Sequence, residues 1–198
     1  MTCPPVSSLE IPVLETENLR LRGHSAADFA SSCALWSTPE VIRYTTLKPS
    51  TPEEVWSRLL RYFGLWSLLG YGFWVVEEKS SGAYIGEVGL MNYRRDIDPP
   101  LGDTPEIGWS LLPAFHGKGY ATEAARAALA WAAASPLFAR QISCIIHTEN
   151  VSSLRVASKC GFTTHDVTTY RGAPTLILYA DLPHDIPMLL PSGINPSR

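Results

Sequence analysis

A chain of 198 residues, 45% apolar and 18% charged, has the make-up of an ordinary globular protein with enough apolar residues for one sizeable core. Its formal net charge of −3 excludes the broad cationic face that nucleic-acid binding requires, while leaving room for a local basic pocket that grips phosphates. Cys3, Cys33, Cys144 and Cys160 lie far apart, and no histidine pair has ligand spacing, so neither a disulfide framework nor a metal site is expected. The N-terminus lacks the basic start and apolar run of a signal peptide. The most apolar stretch, Phe63 to Val76, is too short for a membrane span and is interrupted by three glycines. A cytoplasmic protein is the expectation.

Residues 1–13, with Pro4, Pro5 and Pro12, read as a loose arm. Leu19-Arg-Leu-Arg22 alternates like a strand, and Ser25 with Asp28 resembles a capping box opening a helix through about Trp36. Thr51-Pro-Glu-Glu54 is a stronger start: a cap, a proline at the first helical position, and acids in the first turn. That helix should stop at Gly70. Strands are expected over Phe73–Glu78 and Tyr84–Tyr93, joined by a turn at Lys79–Gly82. Residues 96–105 read as a loop, and Glu106–Leu112 as a strand. The alanine-rich run Ala121–Ala134 is strongly helical and ends near Pro136.

Gln141–Thr148 then reads as a strand, Val151–Cys160 as a short helix, and Phe162–Tyr170 with Thr175–Ala180 as a closing hairpin. Prolines at 183, 187, 191 and 196 forbid regular structure in the tail, 183–198. One α/β domain over 14–182 follows, with a mixed central sheet of about seven strands and about four helices. A crossover helix between Glu106–Leu112 and Gln141–Thr148 requires those two strands to run parallel.

His116-Gly-Lys-Gly119 stands immediately before the alanine-rich helix. There, unpaired N–H groups and the positive end of the helix dipole face whatever lies in front, and glycines let the backbone approach an anion. Alone, such a loop is also compatible with a plain entry turn. It is not a P-loop, because Thr122 follows no Gly-Lys pair. Nor is it a Rossmann fingerprint, which needs a glycine where Thr122 stands and an acid where the next strand ends at His147-Thr148. Farther on, Asn150 is a good N-cap and Gly161 a good C′ residue for the short helix.

The string Glu106-Ile-Gly-Trp-Ser-Leu-Leu-Pro-Ala-Phe-His-Gly-Lys-Gly-Tyr-Ala-Thr-Glu-Ala124, with Asn150-x-x-Ser153 and Gly161-Phe162, resembles the acyl-CoA core of the GNAT superfamily of N-acyltransferases. Residues 116 to 121 look like its Q/R-x-x-G-x-G/A pyrophosphate signature, with His116 in place of the usual Gln or Arg. The run Gly117–Ala124 and the opening Leu14-Glu-Thr-Glu-Asn-Leu-Arg-Leu-Arg22 are similar to the branch that includes the ribosomal-protein N-terminal acetyltransferases (RimJ/RimL-like), with Asn18 where Arg is usual.

The resemblance implies transfer of an acetyl group from acetyl-CoA, as co-substrate and without a metal, to a primary amine on a small molecule or a peptide N-terminus. It implies coenzyme contacts from Trp109, Leu111 and Leu112 through the backbone, from His116, Gly117, Lys118, Gly119, Tyr120, Ala121 and Thr122 at the phosphates, and from Asn150 on the pantetheine arm. Lys159 is a further phosphate candidate or a solvated lysine.

The usual acid for the departing thiolate, a Tyr seven residues after the Asn, is here Ala157. Ser153 is the substitute, unless its hydroxyl serves only a helix-start hydrogen bond. Glu106 is the first candidate base and Glu87 the second, each otherwise a surface strand residue. The acceptor pocket is expected from the first two helices and the closing hairpin. Trp36, Tyr44, Tyr170 and Arg171 are its candidates, while Trp56 and Trp66 read as core.

Rival readings are a succinyl or other acyl donor, favoured if Arg94, Arg95 or Arg171 overhangs the acyl pocket; a non-catalytic acyl-CoA-binding protein; and a binding module that uses the Pro-rich tail. The state could be monomer or homodimer.

Overall fold

The computed structural model describes residues 10–138 and 140–182, so the tail from 183 and most of the N-terminal arm lie outside the described residues. One eight-stranded mixed sheet organises the chain. In sequence order its strands are β1 (Leu14–Glu15), β2 (Leu19–Arg22), β3 (Phe73–Glu78), β4 (Ala83–Met91), β5 (Glu106–Leu111), β6 (Gln141–His147), β7 (Thr163–Tyr170) and β8 (Ala173–Asp181). In space the order is β1-β2-β3-β4-β5-β6-β8-β7, with every neighbouring pair antiparallel except β5 and β6. The helices are α1 (Phe29–Leu35), α2 (Pro39–Ile42), α3 (Pro52–Leu69), α4 (Tyr120–Ala134) and α5 (Val151–Lys159).

Two small elements were not expected. β1 is a two-residue strand opposite Arg20 and Leu21, and α2 is a single turn opened by Pro39. Ser25 and Asp28 do form a local hydrogen bond (2.7 Å), but it closes only a 3-10 turn before α1 begins. Asp28 spends both oxygens on Arg22, at 2.9 and 2.7 Å, which pins the turn to β2. Around α3 the expected signals act as read. Thr51 accepts from the Glu54 N–H and Glu54 answers on the Thr51 N–H, while Gly70 closes the helix in the left-handed region.

The strand period of two divides the helices between faces. Trp74, Val76, Val88, Leu90 and Ile107 turn toward α4, whose Ala124, Ala125, Ala128 and Ala132 have no exposed surface, so this helix lies close on the sheet. The opposite face carries Phe73 and Met91 against Leu59, Tyr62 and Leu65 of α3. Trp66 is core, edge-on to Trp74 and Trp131 at 4.8 and 5.5 Å. Trp56, also read as core, is 43% exposed and only edges against Phe29, because it lies on the outer side of α3.

What positions the site is the junction of β5 and β6. Their ladder holds a single pair, Glu106 with Ser143, reinforced by Ser143 N–H donating to the Pro105 carbonyl at 2.8 Å. Beyond it the strands part. β6 pairs instead along all seven residues with β8. A fork therefore opens toward the ends that carry the glycine loop on one side and Asn150 on the other.

Candidate active site

After Leu111 the chain makes a 3-10 turn over Pro113–Phe115 and enters α4 through Gly117 (φ 77°) and Gly119 (φ 86°). Both glycines hold left-handed backbone that a side chain disfavours, and nothing lies within 4 Å of where their Cβ atoms would stand. The first helical bond runs from the Glu123 N–H to the Gly119 carbonyl. The N–H groups of Gly119, Tyr120, Ala121 and Thr122 meet no acceptor among the described residues. Four free donors at the positive end of a 15-residue helix are the arrangement that an anion site requires.

A hollow of about 550 Å³ lies against this site and is lined by Gly119, Thr122 and Lys159, three of the expected residues, together with Thr16, Glu123 and Arg126. Sequence reading missed Arg126. It stands seven residues after Gly119, two turns along the same helix face, and that spacing was the available signal. Its guanidinium donates to the Lys159 carbonyl at 2.6 Å, joining α4 to α5. Glu123 is directed away from phosphate duty. It accepts from the Thr16 hydroxyl (2.6 Å), the Asn18 N–H (2.8 Å) and the Asn18 side chain (3.0 Å). Burial pushes its carboxyl up, and these hydrogen bonds bring it below its ordinary value.

Two expected contacts are narrowed by the fold. The Leu112 N–H donates to the Ile85 carbonyl at 2.8 Å, so it is not free for a thioester arm. Lys118 turns back toward Glu78 (3.5 Å), which also accepts from the Tyr120 hydroxyl at 2.8 Å. His116 has a local task where Gln or Arg was expected: its Nε2 lies 2.8 Å from the Leu111 carbonyl, tying the loop to the end of β5.

Across the fork, the Asn150 Oδ1 accepts from the Ser153 N–H (3.2 Å) and the Ser152 hydroxyl (3.0 Å), making it the N-cap of α5. The Ser153 hydroxyl, half-buried in the first turn, makes no hydrogen bond among the described residues. It is Ser152 that performs the helix-start bond.

Neither candidate base is a surface residue, because both face the α1–α3 side of the sheet. Glu106, 5% exposed, receives Arg95 in bidentate fashion at 2.5 and 2.7 Å, and Arg95 also donates to the Tyr170 hydroxyl at 2.9 Å. Glu87 is wholly buried. Ser32 and Tyr84 donate to one oxygen at 3.1 and 2.8 Å, and Trp36 and Tyr62 donate to the other at 3.1 and 2.8 Å. His24 stands 3.5 Å away, long for a hydrogen bond. Burial pushes the Glu87 carboxyl up, but contact with His24 and the bonds from Tyr84 and Tyr62 outweigh it, leaving the carboxyl below its ordinary value. Burial and Glu87 together push the Tyr62 and Tyr84 hydroxyls up, so they remain donors.

Among the acceptor candidates, Tyr44 packs its ring on His147 at the end of β6, 4.9 Å between centroids. Trp36 is a support and not a lining residue: it is 5% exposed, bound to Glu87 and covered by the Arg58 guanidinium at 3.7 Å. Arg171, at the β7–β8 tip, borders a second hollow of about 570 Å³ with Arg58 and Arg61 of α3, both missed in the sequence.

A parallel strand pair that parts beside a glycine-led helix start is the arrangement that the resemblance to the N-acyltransferases implied. The chain belongs to the GNAT acetyltransferase family: the acetyltransferase (GNAT) domain profile matches residues 18–163. YkkB, an uncharacterized protein of Bacillus subtilis (strain 168), is 30% identical over 152 residues, 75% of this chain and 83% of its own length. The solved structure of a Bordetella pertussis protein described as a GnaT-family acetyltransferase superposes with a TM-score of 0.76 at 29% identity, covering 86% of this chain and 99% of that one. RimL, a ribosomal L7/L12 alpha-N-protein acetyltransferase solved in complex with coenzyme A, superposes with a TM-score of 0.73 over 88% of this chain and 100% of its own, and at 16% identity shares the fold alone.

Proposed function

We propose that this protein transfers an acetyl group from acetyl-CoA to a primary amine by direct attack within a ternary complex. The observation that carries the reading is the run of four unpartnered N–H groups at the start of α4, set beside the β5–β6 fork. Those donors would hold the coenzyme's pyrophosphate, with Arg126 and Lys159 beside them for further phosphate charge. The RimL complex with coenzyme A supports that co-substrate for this fold. The thioester arm would lie in the fork, between the β5 backbone and the Asn150 side chain.

The amine must be neutral to attack, whereas a lysine amine has a pKa of about 10.4 and an α-amine about 8. Glu106 is our choice for taking up its proton, directly or through a water. Glu106 stands at the base of the fork on two oxygens that Arg95 alone engages, whereas Glu87 has every oxygen filled by donors and no path to solvent. Glu87 reads instead as the anchor that joins α1, α3 and β4. Ser153, with an uncommitted hydroxyl in a helix first turn, would supply the proton to the departing thiolate.

Two of the three arginines that could hold a succinyl carboxylate are spoken for, Arg95 by Glu106 and Arg94 by Asp103 at 3.3 Å, which favours an acetyl group and leaves Arg171 as the one residue for a longer acid donor. Placement in the RimJ/RimL-like branch rests on the run Gly117–Ala124 and on the opening 14–22, where Thr16, and Asn18 in place of the usual Arg, fasten to Glu123 of that run. Free-thiol release measured with acetyl-CoA and succinyl-CoA over a panel of amines and peptides tests the whole reading. Release with acetyl-CoA and an amine is expected. Coenzyme binding with no release over any amine would turn the protein into an acyl-CoA-binding one.

A further inference from the structure

The second hollow, about 570 Å³ between the start of α3 and the β7–β8 tip, is edged by Lys48, Glu53, Glu54, Arg58, Arg61 and Arg171 and by several hydroxyls. Its charges are not balanced. Glu54 is occupied, with one oxygen on the Thr51 N–H (2.8 Å) and the other 3.8 Å from Lys48. Among the described residues no carboxylate lies within 4.0 Å of Arg58, Arg61 or Arg171, whereas Arg22 and Arg95 each chelate one. The Arg58 Nε is buried and has no partner among the described residues.

Each of these three guanidiniums is instead laid on an aromatic ring: Arg58 on Trp36 at 3.7 Å, Arg61 on Tyr93 at 5.2 Å, and Arg171 on Tyr170 at 5.2 Å. A stacked guanidinium is oriented and keeps its edge N–H groups for a ligand. Arg171 also occupies left-handed backbone (φ 51°) in the two-residue turn with Gly172. Asn or Gly would adopt that conformation at lower cost, and strain of this kind is a pointer to function. The rings of Tyr93 and Tyr170 touch Arg95 as well, at 5.3 and 5.1 Å, and Arg95 grips Glu106. Arg61 and Arg171 thus stand one aromatic ring from Arg95, the partner of the candidate base, while Arg58 lies on Trp36, whose indole is bound to Glu87.

We infer that the acceptor is a primary amine that also carries a carboxylate, and that Arg58, Arg61 and Arg171 form the clamp for that carboxylate. Paired N–H forks matching a planar carboxylate are what three arginines without acidic partners offer. The inference rests on the acetyl-transfer reading for the position of the acceptor, and it narrows that acceptor to the amino-acid class.

The product is the cleanest probe, because it keeps the carboxylate and lacks the amine. Coenzyme A is titrated first by calorimetry, and then the twenty N-acetyl-L-amino acids and their C-terminal amides are titrated into the coenzyme-saturated protein. Binding of at least one acid, with its amide about tenfold weaker or more, is expected from loss of a charge-assisted pair. The Arg58→Gln/Arg61→Gln protein should lose the acid preference while keeping its affinity for coenzyme A, and Arg171→Gln provides the same comparison without touching α3. Acids and amides that bind alike, or that all fail to bind while coenzyme A binds, overturn the clamp. Failure of coenzyme A itself to bind overturns the acetyl-transfer reading beneath it.

Discussion

Ser153 and Glu106 stand on opposite arms of the fork, and each has a distinct signature in kinetics. The Ser153 hydroxyl is free of hydrogen bonds among the described residues, so its loss removes no structural contact. Ser153→Ala should lower kcat by about a hundredfold, the lower end of what a positioned acid supplies, with little change in acetyl-CoA affinity. An unaltered kcat removes it from the mechanism. Glu106→Gln keeps the shape of the Arg95 pair but not the base. The low-pH limb of kcat/KM should shift or vanish, and a superimposable profile would transfer proton uptake to bulk water. At this scale the sequence was partly legible. Gly119 and Asn150 are set by local backbone demands, so they could be read without a fold. Glu87 could not, because its donors Tyr62, Trp36 and Ser32 lie 25 to 55 residues away and meet it only through packing.

Helix α4 links packing to binding. Its sheet-facing stripe of Ala124, Ala125, Ala128 and Ala132 has no exposed surface, so the helix sits close to β4 and β5 and its first turn is aimed at the fork. Ala128→Leu should overfill that contact at a cost of about 1–3 kcal/mol and tilt the four donor N–H groups. Thermal unfolding and coenzyme titration should both register it, with a lower midpoint and a weaker Kd. Unchanged coenzyme affinity in a destabilised variant would show that the helix position is not what sets the anion site. Most elements could be read from the chain because period and caps coincide, as at Thr51 and Gly70. The two-residue β1 and the single turn of α2 are too short to carry a period. Trp56 was misjudged because a bulky aromatic says nothing of which side of a two-sided helix it occupies.

For the whole molecule, hydrogen-bonded carboxylates couple stability to pH. Asp28, Glu87 and Glu123 all have folded-state values below their ordinary ones, through Arg22 and Ser25, through His24 and the tyrosines, and through Thr16 and Asn18, respectively, each against the opposing effect of burial. A depressed carboxyl contributes stability that is fully present above the unfolded-state pKa of about 4 and is lost as pH falls through the folded one. The midpoint should hold steady from neutrality to about pH 5 and then fall steeply below about pH 4. Glu87→Gln should flatten part of that slope, and an identical slope would mean that the Glu87 network is not linked to folding. The parallel pairing of β5 and β6 followed from the crossover helix between them. Their divergence after one pair did not, since it depends on β8 claiming β6 along its length.

The central claim is that the free N–H groups opening α4 hold the coenzyme. Calorimetric titration of acetyl-CoA into the native protein and into Gly119→Asp tests it most directly. Binding to the native protein, with affinity reduced at least a hundredfold in a folded variant that places a carboxylate at the phosphate site, is the expected result. Equal affinity in the two proteins, or no binding to the native one, would contradict it.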